Sequence, residues 1–410
     1  MELVVQKFGG TSLTDEQSRS HVLRHIIREY EAGGNVVVVV SAMGRSGDAY
    51  ATDSLLELIR RNGDSLPERE KDLLLSCGEL ISAAVLCSLL RAEGIPAVAL
   101  TGGQAGIVTD GNFGSARIVE IDCDRIHRHL SAKQVVIVTG FQGMTKDGEV
   151  TTLGRGGSDT SATALGAALK ADIVDIYTDV DGILTADPRW VANARPLAAV
   201  SYEEICNMAQ NGAKVIHPRA VELAMKAGIP VRVRSTFSDG EGTLVTYAQA
   251  LRSRGIWYDK TVTGLAHVRD VTQLAVTDLD GPVDLQLRVF RAMASHGISV
   301  DFINVMPTGV HYTVSEKDTP LAVKLLQELG FEPRVRRECA KVSVIGGGMN
   351  GEPGVMAVIV EALTDSGIPI LQSADSNTTI WVLIAQQDLA AALQALHTAF
   401  GLHLSPVGGN

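Results

Sequence analysis

From Leu3 to about Thr246 the chain alternates short, unbroken apolar runs with stretches of helical periodicity. The apolar runs predict strands at Leu3 to Gln6, Val36 to Ser41, Ala97 to Thr101, Val135 to Gly140, Ile173 to Tyr177 and Val231 to Arg234. Several are apolar at consecutive positions rather than at every second one, so both faces of their sheet must be covered. Helices fill the intervals, and the class that follows is an α/β sandwich. In the first helix, Thr14 or Asp15 supplies the capping oxygen, Val22, Leu23, Ile26, Ile27 and Tyr30 form the apolar stripe, and Gly33-Gly34 ends it. The segment "KFGGTS" (Lys7 to Ser12) therefore lies in a strand-to-helix turn, at the strand end where open α/β sheets bind ligands.

Past roughly residue 247 the pattern changes. "VFRAMASHGISVD" (Val289 to Asp301) is echoed by "IVEALTDSGIPIL" (Ile359 to Leu371), each a helix that ends at a glycine and runs into a strand. Another apolar strand, "VHYTVS" or "TIWVLI", and another helix follow each copy, which predicts two βαββαβ units. The turn-rich stretch "SDGEGTLVTYAQALRSRG" separates the halves. The expected division is a domain at 1–246, a linker at 247–261 and small domains at 262–337 and 338–403.

Composition narrows the partners. The 36 Lys and Arg against 47 Asp and Glu leave a net charge of -11, which argues against nucleic acid or an anionic membrane as the main partner. The five cysteines are scattered without metal or redox spacing and read as reduced thiols of a cytosolic protein. The N-terminus enters a strand directly, unlike a signal peptide, and the longest apolar run, around Val36 to Val40, is far below the ~20 residues of a membrane span.

Several stretches carry candidate chemistry. In "KFGGTS" the glycines let backbone N–H groups approach an anion and the next helix offers its positive end, although a tight turn alone would also use glycine. In "TTLGRGGSDTSATALGAAL" (151 to 169), Arg155 stands among Gly154, Gly156 and Gly157 before Ser158-Asp159-Thr160. A guanidinium there can grip a carboxylate with two bonds; the plainer alternative is that Ser158 or Asp159 simply caps the helix. "IYTDVDGILTADPRW" places Thr178, Asp179 and Asp181 at a strand end, fit for a hard cation or for an ordinary surface turn. Glu79, in the apolar helix "LLLSCGELISAAV", needs a cationic partner, from a structural ion pair or from a ligand. Lys214 and His217 in "GAKVIHPRAV" are open to either kind of role. The ten histidines are dispersed, and no hydrolase elbow or dinucleotide fingerprint is present. Transfer of a phosphoryl group to a carboxylate needs no histidine base, because a carboxylate of pKa ~4 is already ionised at neutral pH.

Taken together, "KFGGTS", "SAMG", "CGE", "TTLGRGGSDT", "TDVDGI", "TADPR" and the paired C-terminal units closely resemble the aspartokinase family, in order and over essentially the whole chain. The resemblance implies a three-layer αβα amino-acid-kinase sandwich with a mainly parallel sheet, followed by two ferredoxin-like ACT domains, with the strand near 262–268 able to join the second. It implies the reaction of ATP with L-aspartate, assisted by Mg2+ carried on the nucleotide, to give 4-phospho-L-aspartate, the entry to diaminopimelate, lysine, threonine and methionine. Lys7 and Asp159 would be the catalytic pair. Lys7, Phe8, Gly9, Gly10, Thr178, Asp179, Leu184, Arg189 and Lys214 would hold the nucleotide. Ser41, Thr52, Glu79, Arg155, Gly157, Ser158 and Asp159 would hold the amino acid, Arg155 on its α-carboxylate and Glu79 on its α-ammonium. Leu184 stands where many relatives have tyrosine, and Ser41 and Thr52 are further apart than in many. Asp280, Gly281, Ser299, Asp301, Ile370, Ser376 and Asn377 would line effector sites in a homodimer or higher homo-oligomer joined through ACT domains. "ILQSADSNTTIWVLI" resembles the diaminopimelate-responsive subgroup, which makes meso-diaminopimelate the expected effector ahead of lysine or threonine. The other readings are a glutamate or N-acetylglutamate kinase, which the free ammonium site at Glu79 opposes in the acetylated case, and a non-catalytic amino-acid sensor, which the intact Lys7, Arg155 and Asp159 oppose.

Overall fold

The computed structural model describes residues 2–404 apart from 62, 64, 214, 254–260, 278–283 and 350–351. The chain divides into two compact units. One comprises Met1–Ile183, Pro196–Ala209 and Lys214–Tyr258, the other Leu184–Arg195, Gln210–Ala213 and Asp259–Asn410.

An eight-stranded sheet forms the first unit, in the spatial order Ala199–Ser201, Thr243–Thr246, Val231–Ser235, Ile173–Thr178, Leu3–Phe8, Asn35–Val40, Val135–Thr139, Ala97–Leu100. Neighbours run parallel except Val231–Ser235 with Thr243–Thr246. The six strands read from the apolar runs are all present. Alternation within Asn35–Val40 sorts the two faces. Val36, Val38 and Val40 pack with Val22 and Ile26 of the Glu16–Glu31 helix and with Ala83, Leu86 and Leu90 of the Glu68–Ala92 helix. Val39 turns the other way, towards Ser158 of the Gly157–Leu169 helix, with Gly140 between them. Helices on both faces explain why the valines run without a polar break. Asp15 caps the first helix by accepting from the Ser18 N–H at 2.7 Å.

The Glu68–Ala92 helix is long and apolar enough to cross a membrane by length and composition. It nevertheless packs one face into the fold, because Asp72, Ser76, Glu79 and Ser82 are buried along it, and two carboxylates would be costly in lipid. Beside the main sheet lies a four-stranded one in the order Ile118–Ile121, Ile107–Thr109, Gln142–Met144, Val150–Thr152. Its strands are too short for their alternation to register in the sequence. All five cysteines are free thiols.

The second unit is a six-stranded sheet in the order Asp301–Met306, Gly309–Ser315, Gly264–Thr277, Arg334–Ile345, Thr379–Ala385, Gln372–Asp375. Helices Leu285–Ser295 and Thr319–Glu328 cover one half through Val289, Met293, Ala322 and Leu326 against Leu274, Val276, Val310 and Tyr312. Helices Val355–Asp365 and Leu389–Ala399 cover the other, against Val342, Val344, Val382 and Ile384. The two long strands serve both halves. Val271 to Ala275 pair with Cys339 to Arg334, and Gly264 to Val268 pair with Ile345 to Lys341. Between these stretches the register slips, at Asp270 with φ 56° and Glu338 with φ 53°.

Candidate active site

Lys7 lies near the carboxyl end of the Leu3–Phe8 strand, with parallel neighbours on both sides. Its Nζ meets Asp159 Oδ1 at 2.7 Å, and both side chains are only 13% exposed. The other carboxylate oxygen of Asp159 accepts from the His217 N–H at 3.3 Å. Asp159 stands in the first turn of Gly157–Leu169, whose N-cap Gly156 has φ 68° and ψ 14°. A Cβ on Gly156 would also fall 2.1 Å from His217 Cγ, so only glycine fits there. This fixes the turn that presents Arg155, which is exposed and makes no ion pair among the described residues.

The two glycines after Lys7 have separate uses. A Cβ on Gly10 would lie 2.5 Å from the Gly44 carbonyl oxygen and 2.7 Å from that of Ala42, so Gly10 admits the turn after Ser41. A Cβ on Gly9 would lie 3.6 Å from Lys7 Nζ, so glycine leaves the space beside the ammonium open. Phe8 is fully buried and stacks on Tyr177 at 4.6 Å between centroids, so only its main chain is available to a nucleotide.

A cleft of about 620 Å³ brings together Lys7, Gly10, Ser41, Thr52, Glu79, Arg155, Gly157, Ser158 and Asp159. Glu79 is 2% exposed. Its Oε1 accepts from the Ala42 N–H at 3.0 Å, while Oε2 is buried with no hydrogen-bond partner. Burial pushes its carboxyl up to about 8, and the Ala42 N–H only partly offsets this. No cationic side chain among the described residues pairs with Glu79, so the structural ion pair is not formed.

Two cleft residues escaped the sequence reading. Asp72 is 1% exposed and accepts from the Gly114 and Thr152 N–H groups and the Thr152 hydroxyl. Its signal was a second carboxylate two helical turns before Glu79. Arg45 also lines the cleft and pairs with Asp179 at 2.5 Å. Nothing in the sequence linked a loop arginine to a strand end more than a hundred residues away.

The expected nucleotide residues are divided between the two units. Thr178 and Asp179 end a neighbouring strand in the first unit, where the Thr178 hydroxyl donates to Asp179 at 3.2 Å. Leu184 and Arg189 belong to the second unit, where Arg189 binds Asp187 with Nε to Oδ1 at 3.0 Å and Nη2 to Oδ2 at 2.6 Å. Lys214 lies outside the described residues, as do Asp280 and Gly281 of the effector set. Of the remaining effector residues, Ser299 is exposed, and Asp301 pairs with the nearly buried Lys341 ammonium. Ile370 packs against the second repeat's core, and Ser376 and Asn377 form an exposed turn before Thr379–Ala385.

Residues 2–235 match the Amino acid kinase family, and residues 334–398 match an ACT domain. Aspartokinase 1 of Bacillus subtilis is 52% identical over 402 residues, covering 98% of this chain and 100% of the relative. Among solved structures, E. coli aspartokinase III in complex with aspartate and ADP (R-state) is 28% identical with a TM-score of 0.78, covering 97% of this chain and 99% of that one. The same E. coli enzyme in complex with lysine and aspartate (T-state) gives a TM-score of 0.76 at 28% identity, covering 98% of this chain and 100% of that one.

Proposed function

The chain belongs to the amino acid kinase family and within it to the aspartokinases, and from that premise we propose how its own residues phosphorylate the side-chain carboxylate of L-aspartate with ATP. The observation that carries the assignment of roles is the cleft itself. It holds an unpaired guanidinium, a buried carboxylate with an orphan oxygen, and a lysine-aspartate pair at the carboxyl end of the sheet. L-aspartate complements it group by group. Its α-carboxylate goes to Arg155, its α-ammonium to Glu79, and its β-carboxylate points towards Lys7, with Ser41, Thr52 and Ser158 completing the pocket.

Phosphoryl transfer is then direct. A β-carboxylate oxygen bonds to the γ-phosphorus, the bond to the bridging oxygen breaks, and ADP leaves with the electron pair. No proton moves, so positioning and charge neutralisation are what the protein supplies. Lys7 neutralises the transferring group, Asp159 orients Lys7, and the Gly9 main chain borders the phosphates. Thr178 and Asp179 lie towards the nucleotide. Leu184, Arg189 and Lys214 are assigned to it on the family resemblance alone.

Magnesium fits this site as an ion carried by ATP. Such an ion is bound chiefly by phosphates, with one or two carboxylates from the protein. Asp179, which follows the Ile173–Thr178 strand, is the carboxylate that would assist. When bound, the ion neutralises phosphate charge.

A coupled assay of ADP release tests the substrate. Turnover is expected with L-aspartate and not with glutamate or N-acetylglutamate, and failure with aspartate by folded protein would sink the assignment.

For regulation we propose that meso-diaminopimelate binds the second unit of a homodimer. The pairing of Asp301 with Lys341 offers both charges that an amino-acid head group needs. The edge strand Asp301–Met306 exposes Ile303 and Val305, an edge suited to a second copy. The expected result is a two-chain mass in light scattering and inhibition by meso-diaminopimelate in preference to lysine or threonine. Inhibition by lysine alone would refute the choice of effector.

A further inference from the structure

We infer that Asp72 is a positioning residue, which fixes the turn carrying Arg155 against the helix carrying Glu79 and so sets the spacing of the two charges that hold the amino-acid substrate. The inference rests on the reading that Arg155 takes the substrate's α-carboxylate.

Asp72 and Glu79 are seven residues apart on the Glu68–Ala92 helix, which is about two turns, so both side chains leave the same side of it. Glu79 reaches the substrate site, whereas Asp72 reaches the protein. Its Oδ2 accepts from the Thr152 N–H at 2.8 Å and the Gly114 N–H at 2.9 Å. Its Oδ1 accepts from the Thr152 hydroxyl at 2.6 Å, with the Gly114 N–H at 3.1 Å. Thr152 ends the Val150–Thr152 strand, and Leu153, Gly154 and Arg155 follow it directly. The Gly114 loop borders the same turn, since a Cβ on Gly154 would sit 3.3 Å from the Gly114 carbonyl oxygen. The Ala116 N–H to Thr152 carbonyl bond, at 2.9 Å, closes the loop onto the strand.

One carboxylate thus joins the helix, the strand leading to Arg155 and the loop beside it. The residue type matters. Three donors converge on two oxygens, and an asparagine, with one acceptor oxygen, would turn an NH2 group towards at least one of them. The buried, charge-assisted bonds to Asp72 therefore hold the backbone before Arg155 more firmly than a neutral side chain can. A displacement of a guanidinium by ~1 Å is enough to cost about 10²-fold in a well-oriented site.

The test is steady-state kinetics on Asp72→Asn, Arg155→Ala and the double variant, with thermal unfolding measured alongside. Asp72→Asn is expected to raise the KM for aspartate at least about tenfold while the KM for ATP stays within about twofold. Because Asp72 acts through Arg155, the double variant should have a KM for aspartate close to that of Arg155→Ala alone. A purely structural role would lower the amount of active enzyme and the unfolding temperature with both KM values unchanged. That result, or effects of the two substitutions that simply multiply, would overturn the inference. If Asp72→Asn does not fold, Thr152→Val decides, since it deletes only the hydroxyl donor: a raised KM for aspartate supports positioning and an unchanged one refutes it. An unchanged KM in Arg155→Ala would instead defeat the substrate reading of Arg155 itself.

Discussion

Replacing Lys7 with alanine is expected to lower kcat by about 10³-fold, roughly 4 kcal/mol of transition-state stabilisation, while binding of effector stays measurable by calorimetry. The size follows from where the ammonium stands. It is nearly buried, paired with Asp159 at 2.7 Å, and flanked by Gly9, which has no side chain to fill the space before it. As the γ-phosphoryl group moves between two anionic oxygens, a fixed positive charge at that place is worth more in the transition state than in water. The variant also uncovers a carboxylate. Asp159 would face the phosphates without its partner and repel them, so Lys7→Ala combined with Asp159→Asn should recover part of the loss. A turnover within tenfold of the parent would remove Lys7 from the chemistry.

The architecture was open to sequence reading wherever burial was two-sided and continuous. Val36 to Val40 face helices on both sides and therefore lack any polar position, which marks a covered strand. Ala199–Ser201 and Thr243–Thr246, at one end of the sheet, are too short to show a period, as are the strands of the four-stranded sheet. The site divides in the same way. Lys7, Arg155 and Asp159 stand in or beside glycine-rich turns whose composition has no purely helical or strand-like explanation, and they line one cleft. The role of Asp72 was hidden for the opposite reason: its spacing to Glu79 was legible, but its partners are two backbone N–H groups and a hydroxyl from distant segments, and backbone partners leave no trace in composition. The nucleotide set was harder still. Thr178 and Leu184 are six residues apart, yet the first belongs to the kinase sheet and the second to the unit built around the repeats. Proximity along the chain gave no warning that a domain division falls between them.

Aspartate affinity is expected to rise with pH up to about 8 and to lose that dependence in Glu79→Gln. Burial raises the Glu79 carboxyl to about 8, so near neutrality the empty cleft holds it protonated. A substrate ammonium needs the carboxylate, and binding must therefore expel the proton. The KM for aspartate should fall by up to about tenfold for each unit of pH between roughly 6 and 8, the limit for one linked proton. Calorimetric titrations of aspartate near neutral pH, in buffers of different ionisation enthalpy, should report release of most of one proton. Glu79→Gln keeps an oxygen for the Ala42 N–H and loses only the charge, so its KM should be about 10²-fold higher and flat with pH. The same shift bears on stability with a definite sign. The folded-state pKa is raised above the unfolded one, so the folded chain binds the extra proton between the two values. The contribution is complete below the unfolded pKa near 4.5 and is lost as pH rises through about 8. Aspartate, by pairing with the carboxylate, should stabilise the fold more at pH about 8 than at about 6. Binding that exchanges no proton, together with a pH-independent KM in the parent chain, would show that the orphan oxygen of Glu79 does not meet the ammonium.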